Sequence, residues 1–294
     1  MKVSGFTFIR NALIYDYPIV EAIRSILPLC DEVVVAVGQS EDATLELIQS
    51  IDPSKIRIIE TQWDDTLREG GRVLAVETDK AFAAISKDSD WAFYIQGDEV
   101  IHEEDLPAIQ LAMQENLSRT EVDGLLFHYR HFYGSYDYVG DSLNWYPKEI
   151  RIIRNNPEIY SYRDAQGFRM RQDDKLKVVQ IPAYVNHYGW VKEPEAMQKK
   201  QETFNKLWHD DQWVETHVVK AAEFDYAAHV RSLKRFTGTH PKVMQERIAR
   251  KNWSFEHDPS FNRSSVKDRV KRFLSQYLGL DFSYKNYELL PSKR

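Results

Sequence analysis

The chain has a single cysteine. Cys30 excludes an internal disulfide and any cysteine-rich zinc site, and in "ILPLCDEVVV" it reads as a small buried hydrophobe. Basic charge is not in excess. The 39 Lys and Arg against 45 Asp and Glu leave a net charge of −6, whereas a general nucleic-acid binder carries a basic footprint. No stretch approaches the roughly 18 consecutive apolar residues of a membrane-spanning helix. The opening "MKVSGFTFIRN" also lacks the apolar core of a secretion signal. A soluble, cytoplasmic protein that does not bind nucleic acid is expected. Repeats and low-complexity segments are missing too, so no flexible linker is expected.

There is ample material for a core, since 43% of the 294 residues are hydrophobic, enough for one large domain or a domain with an appendage. The first half alternates. "VSGFTFI", "EVVVAV", "KIRIIETQ" and "WAFYI" read as strands, and the uninterrupted apolar run of the second is expected when both faces are covered. Between them, "YPIVEAIRSILPL" puts Ile19, Val20, Ile23, Ile26 and Leu27 on one helical face. "SEDATLELIQSI" reads as a second helix with Ser40 as its N-cap, and "GGRVLAVETDKAFAAI" as a third. Such alternation implies an α/β fold with a mostly parallel sheet covered by helices. From about residue 120 the chain becomes strand-like and aromatic ("DGLLFHYRHFYGSYDY", "YPKEIRIIRN", "KLKVVQIPAYVNHYGW"). After about 190 it reads mainly helical. The expected plan is a domain over residues 1–190 and a helical C-terminal extension over 191–294.

Open α/β sheets bind ligands beyond the carboxyl ends of their strands. Those ends carry Arg10-Asn11, Gly38-Gln39-Ser40 and, in "WAFYIQGDEV", Gln96, Asp98 and Glu99. Turns that open helices suit anions, and Gly70-Gly71-Arg72 adds a guanidinium that can engage a phosphate bidentately. Each turn also has a purely structural reading, as helix capping and loop geometry.

Together, "FIRNALIYDYPIVEAIRSIL", "DEVVVAVGQSEDATLELI", "DWAFYIQGDEV", "KEIRIIRN" and "NHYGW" resemble, in order, the family 2 glycosyltransferases, over roughly residues 3–190. The resemblance implies a GT-A fold that binds a nucleotide-diphospho-sugar and transfers the sugar, with inversion, to a saccharide or lipid-linked acceptor. It implies a divalent metal, Mn²⁺ or Mg²⁺, held by Asp98 of the D-x-D-like motif and by His187, with Asp164 as the base for the acceptor hydroxyl. Phe8, Arg10, Asn11, Gly38, Ser40, Asp42, Arg72 and Gln96 would contact the donor. Two departures stand out: Gln96 replaces the first motif acid, and Val37 and Gly38 replace the acids that usually precede the nucleotide turn, which leaves the base open.

Asp173, Asp174 and His131 are secondary candidates on the acceptor side, and the Tyr and Trp residues of 131–146 suit stacking on a sugar. Imidazole binds a metal only when neutral, so an unperturbed His187 would place the acid limb of metal binding near pH 6.5. "VKDRVKRFLSQYLGL" sets Val266, Val270, Phe273, Leu274 and Tyr277 on one face, within a segment (263–294) of eight basic and three acidic side chains. It reads either as a helix docked on the core or as one lying on the inner membrane surface. Two rival functions share the architecture: a catalytically silent nucleotide- or glycan-binding protein, and a nucleotidyltransferase, which the missing G-G-x-G-x-R-like loop disfavours.

Overall fold

The computed structural model describes residues 1–64, 66–67, 69–142, 145–209, 211–217, 220–230, 232–261 and 284–291, with Lys271, Leu274 and Tyr277. Val266, Val270 and Phe273 of the basic C-terminal segment lie outside the described residues.

Four parallel strands come first: β1 (Val3–Ile9), β2 (Glu32–Gly38), β3 (Ile56–Thr61) and β4 (Trp91–Tyr94), in the spatial order β3-β2-β1-β4. Helices α1 (Ile19–Ile26), α2 (Thr44–Gln49) and α3 (Arg72–Ala83) connect them. The alternation of strand side chains explains the unbroken apolar run of β2. Val33, Val35 and Val37 pack with Ile19, Ile23 and Ile26 of α1 and with Ile48 of α2. Val34 and Ala36 face the opposite way, into a core with Val73, Ala81 and Phe82 of α3. Both faces are covered, and the α/β class expected from the sequence is the one observed.

Beyond β4 the sheet becomes mixed. It continues through β5 (Glu99–Ile101), α4 (Leu106–Glu115), β6 (Gly124–Tyr133), β7 (Ser135–Gly140), β8 (Lys148–Arg154), β9 (Ile159–Tyr162), β10 (Gly167–Met170) and the long β11 (Asp174–Trp190). β8 inserts antiparallel between β4 and β6, and β6 runs parallel to β11. Helix α5 (Pro194–Lys206) follows. The C-terminal region contains strands as well as helices: Leu233–Arg235 pairs with β7 and Tyr287–Leu290 with β11. Among the described residues no helix is long and apolar enough to cross a membrane.

The α2 helix starts at Thr44 with Ala43 at its N-cap position, not at Ser40. Ser40 instead donates to the Gly38 carbonyl (2.8 Å) and accepts from the Asn11 amide (3.1 Å). A short polar side chain that satisfies its own loop competes with capping.

Candidate active site

A cleft of ≈ 870 Å³ opens where β1 and β4 end, walled on the far side by the end of β11 and by α5. It lies beyond the carboxyl ends of the parallel strands, as open α/β sheets require. Phe8, Arg10, Asn11, Gln96, Asp98, Asp164 and His187 all line it.

Asp98 sits in the turn between β4 and β5. Its Oδ2 lies 3.7 Å from His187 Nε2 and accepts from Lys200 Nζ of α5 at 3.3 Å. Burial alone would raise its pKa, but the neighbouring lysine charges, Lys200 above all, outweigh that and bring it down to about 2. It is therefore a carboxylate at any working pH. His187 is shifted below the ordinary imidazole value, because burial and the Lys200 and Arg151 charges outweigh Asp98 and Glu99. An acid limb set by this group lies below pH 6.5 rather than at it.

The tautomer of His187 follows from its neighbours. His131 Nε2 lies 3.0 Å from the Tyr146 carbonyl, and His131 Nδ1 lies 3.3 Å from His187 Nδ1. A carbonyl only accepts, so His131 Nε2 carries the proton. His131 is shifted well below the ordinary imidazole value, chiefly by burial, so its Nδ1 is a bare acceptor. His187 Nδ1 must then donate, which leaves a lone pair on Nε2, the atom facing Asp98.

Two electron-rich atoms held 3.7 Å apart suit a shared cation. Gly189 keeps the space open: a Cβ there would stand 2.5 Å from His187 Nε2 and 2.6 Å from Asp98 Oδ2. One nitrogen and one carboxylate oxygen within bridging reach fit a divalent ion. Among the described residues no group of three or more His, Cys, Asp or Glu gathers to hold a metal, so an ion bound by this pair would need further ligands from substrate and water.

Opposite, Asp164 occupies the turn before β10, between Arg163 and Ala165, both at positive φ (56° and 63°). Its carboxyl is shifted upward, chiefly by burial, against its own backbone amide and the Arg163 and Arg151 charges. Gly71, at φ 69°, lets α3 start directly beneath it, since a Cβ would come within 2.9 Å of Asp164 Cβ. Gln96 donates from Nε2 to the Ala165 carbonyl at 2.9 Å and ties the β4 end to that turn. An acid at position 96 would set two acceptors against each other.

Gly38, Ser40, Asp42 and Arg72 do not line the cleft. Asp42 accepts from the Leu13 and Ile14 amides (3.0 and 2.9 Å) and from Thr44, which fixes the loops after β1 and β2 to each other. Gly38 lies directly under the Trp63 indole, and Arg72 is exposed. Glu99 turns inward, engaged on both oxygens by Arg151 (2.7 and 2.5 Å) and by the Tyr129 hydroxyl, all buried. Asp173 and Asp174 are exposed at the β10–β11 turn, away from the cleft.

Sequence reasoning missed Lys200, Gly189, Trp63 and Trp208. Lys200, Phe204 and Trp208 recur at spacing four in "KQETFNKLW", one helical face with a lysine at its head. That was the available signal. Trp63 packs on Phe8 (5.9 Å between ring centroids) beneath the Arg10 guanidinium (5.5 Å). The Nε1–H groups of Trp63 and Trp208 are buried without a partner among the described residues, and both indoles line the cleft.

No protein-family model matches the chain, and no curated protein matches it. Among solved structures it is similar to S. aureus TarS 1-349, with 16% identity over 69% of this chain and 64% of that one and a TM-score of 0.40. The UDP complex of the same fragment gives 15% identity, 76% and 68% coverage, and 0.40. Glucosyl-3-phosphoglycerate synthase from Mycobacterium tuberculosis, in complex with Mn²⁺, UDP and phosphoglyceric acid, gives 21% identity, 45% and 43% coverage, and 0.29. The first match spans less than two thirds of the TarS fragment. At such scores the likeness carries no assignment, and the α/β class rests on the strand order itself.

Proposed function

We propose that the chain is a glycosyltransferase, which moves a sugar from a nucleotide-diphospho-sugar to a saccharide or lipid-linked acceptor in a single inverting displacement. The observation that carries this reading is the pair Asp98 Oδ2 and His187 Nε2. They face each other at 3.7 Å, at the strand-end mouth of a large cleft. The ordered resemblance to family 2 glycosyltransferases supports the same reading.

Asp98 and His187 would hold a divalent ion, which when bound supplies positive charge against the diphosphate leaving group. Lys200 is placed to donate to the same oxygens from α5, as it now does to Asp98 and to the Gly189 carbonyl (3.1 Å). Phe8 and Trp63 offer a flat apolar wall for the base, and the partnerless indole N–H groups of Trp63 and Trp208 offer donors to it or its ribose. Asp164 takes the proton from the acceptor hydroxyl, and its upward shift strengthens it as a base.

Calorimetric titration with nucleoside diphosphates, with and without Mn²⁺, tests the reading. Binding to the wild type should tighten with Mn²⁺, and Asp98→Asn and His187→Ala should lose that enhancement. Asp164→Asn should bind nucleotide normally yet transfer no sugar. Metal-independent binding in all variants would overturn the metal role. The Lys200 ammonium already on Asp98 favours a second reading, a catalytically silent nucleotide binder in which lysine replaces the metal. Absence of any nucleotide-sugar turnover with Mn²⁺ would select it.

A further inference from the structure

The cleft continues past His187. A second cavity of ≈ 270 Å³ adjoins it, and Trp190 and Gln201 wall both. Its rings come from distant parts of the chain: Tyr133 ends β6, Trp145 follows β7, Trp190 ends β11 and Phe224 lies beyond α5. Tyr133 stacks on Trp190 at 5.9 Å and 29°. Trp145 meets Trp190 edge-on at 6.4 Å and 77°, and Phe224 stands 6.3 Å from Trp190. The walls therefore present flat apolar faces at several angles.

The polar groups are as informative. Ser142, Gln201, His229 and Ser232 line the cavity, and no Asp, Glu, Lys or Arg does so among the described residues. Ser232 is 4% exposed and lines the cavity. Aromatic faces with hydroxyl, amide and imidazole edges complement a ligand that is apolar on its faces and rich in hydroxyls at its rim. The cavity's volume lies just below the ~300–1,000 Å³ typical of drug-sized ligands. One sugar ring fits that description. The cavity also touches the chemistry: the Trp145 ring stands 4.7 Å from that of His131, the residue that orients His187.

We propose that this second cavity is a distal acceptor subsite, which holds one saccharide unit of an extended acceptor by its apolar face on Trp145 and Trp190 with its hydroxyls toward Ser232 and Gln201. The assignment rests on the transfer reading above, and the experiment separates the two. Saturation-transfer NMR on the full chain would use methyl glucoside, methyl galactoside and methyl N-acetylglucosaminide as probes. Nucleoside diphosphate binding is measured on the same samples. Saturation should reach the ring C–H protons of at least one glycoside. It should fall about fivefold or more in Trp145→Ala and Phe224→Ala, since stacked aromatic contacts carry about that factor, while nucleotide affinity in Phe224→Ala stays within about twofold. If Trp145→Ala fails to fold by circular dichroism, Phe224→Ala and Ser232→Ala carry the test. Saturation of a glycoside undiminished in these variants, no saturation of any glycoside, or preference for tetramethylammonium would overturn the subsite. Glycoside binding that obeys the variants in a protein without nucleotide affinity would support the subsite while sinking the transfer reading.

Discussion

His187 keeps a lone pair on Nε2 only while His131 accepts from its Nδ1, and His131 accepts only because the Tyr146 carbonyl holds its own proton on Nε2. Replacing His131 by Phe removes the acceptor while preserving a ring in the aromatic cluster of Tyr129, Trp145 and Tyr146. His187 would then be free to protonate on Nε2. Divalent-ion affinity should drop roughly 10–100-fold, as when an orienting partner of a ligating histidine is lost, and the ¹⁵N shifts of His187 should move toward the Nε2–H tautomer. A purely structural role for His131 would leave those shifts unmoved. Asp98 and His187 were both nameable from motifs. His131 was named only as an acceptor-side contact, because partnership between residues 56 positions apart exists only once β6 and β11 pair side by side.

At the scale of elements, β11 does what its local sequence does not announce. The strand runs for 17 residues, pairs with β6 for most of its length, and shifts register between His187 and Trp190. Residues 187 and 189 share one side of the strand, so His187 reaches Asp98 over a position that must be empty. Gly189→Ala would bring a Cβ to within 2.6 Å of both donor atoms, closer than carbon can approach. The variant should lose Mn²⁺ binding, read by electron paramagnetic resonance, while its Tm falls by only a few degrees, because β11 keeps its ladder. A variant with unaltered Mn²⁺ affinity would remove these two residues from the ion's coordination. "VVQIPAYV" and "NHYGW" were legible as strand. The need for glycine was not, because it arises from Asp98, which another strand delivers.

At the scale of the whole molecule, Arg151 and Glu99 form a fully buried pair that links β8 to β5, and Glu149 stands beside it. Burial pushes the Glu149 carboxyl up to about 8, against the Arg151 charge and the hydrogen bond from Gln166 (2.9 Å). The sign follows from where the proton sits. Between the ordinary value near 4.5 and about 8, the folded state keeps a proton that the unfolded chain has released. Glu149 therefore supports the fold fully below pH 4.5 and loses that contribution as pH rises to 8. Glu149→Gln, a neutral mimic, should match wild type in Tm near pH 4 and exceed it near pH 9. Parallel Tm profiles across that range would show that the carboxyl is ionised in the fold.

By itself the sequence determined the α/β alternation, the doubly covered β2 and the acid set down after β4, because burial periodicity and strand-end chemistry are written in neighbouring residues. The tertiary structure decided the rest. It turned Glu99 inward to Arg151, spent Asp42 and Ser40 on holding loops together, brought Lys200 from α5 onto Asp98, and assembled a box of rings from residues 133, 145, 190 and 224. Whether a polar side chain faces a ligand or its own backbone depends on which partner comes within about 3 Å. When that partner lies tens or hundreds of residues away, only the packed fold brings the two together.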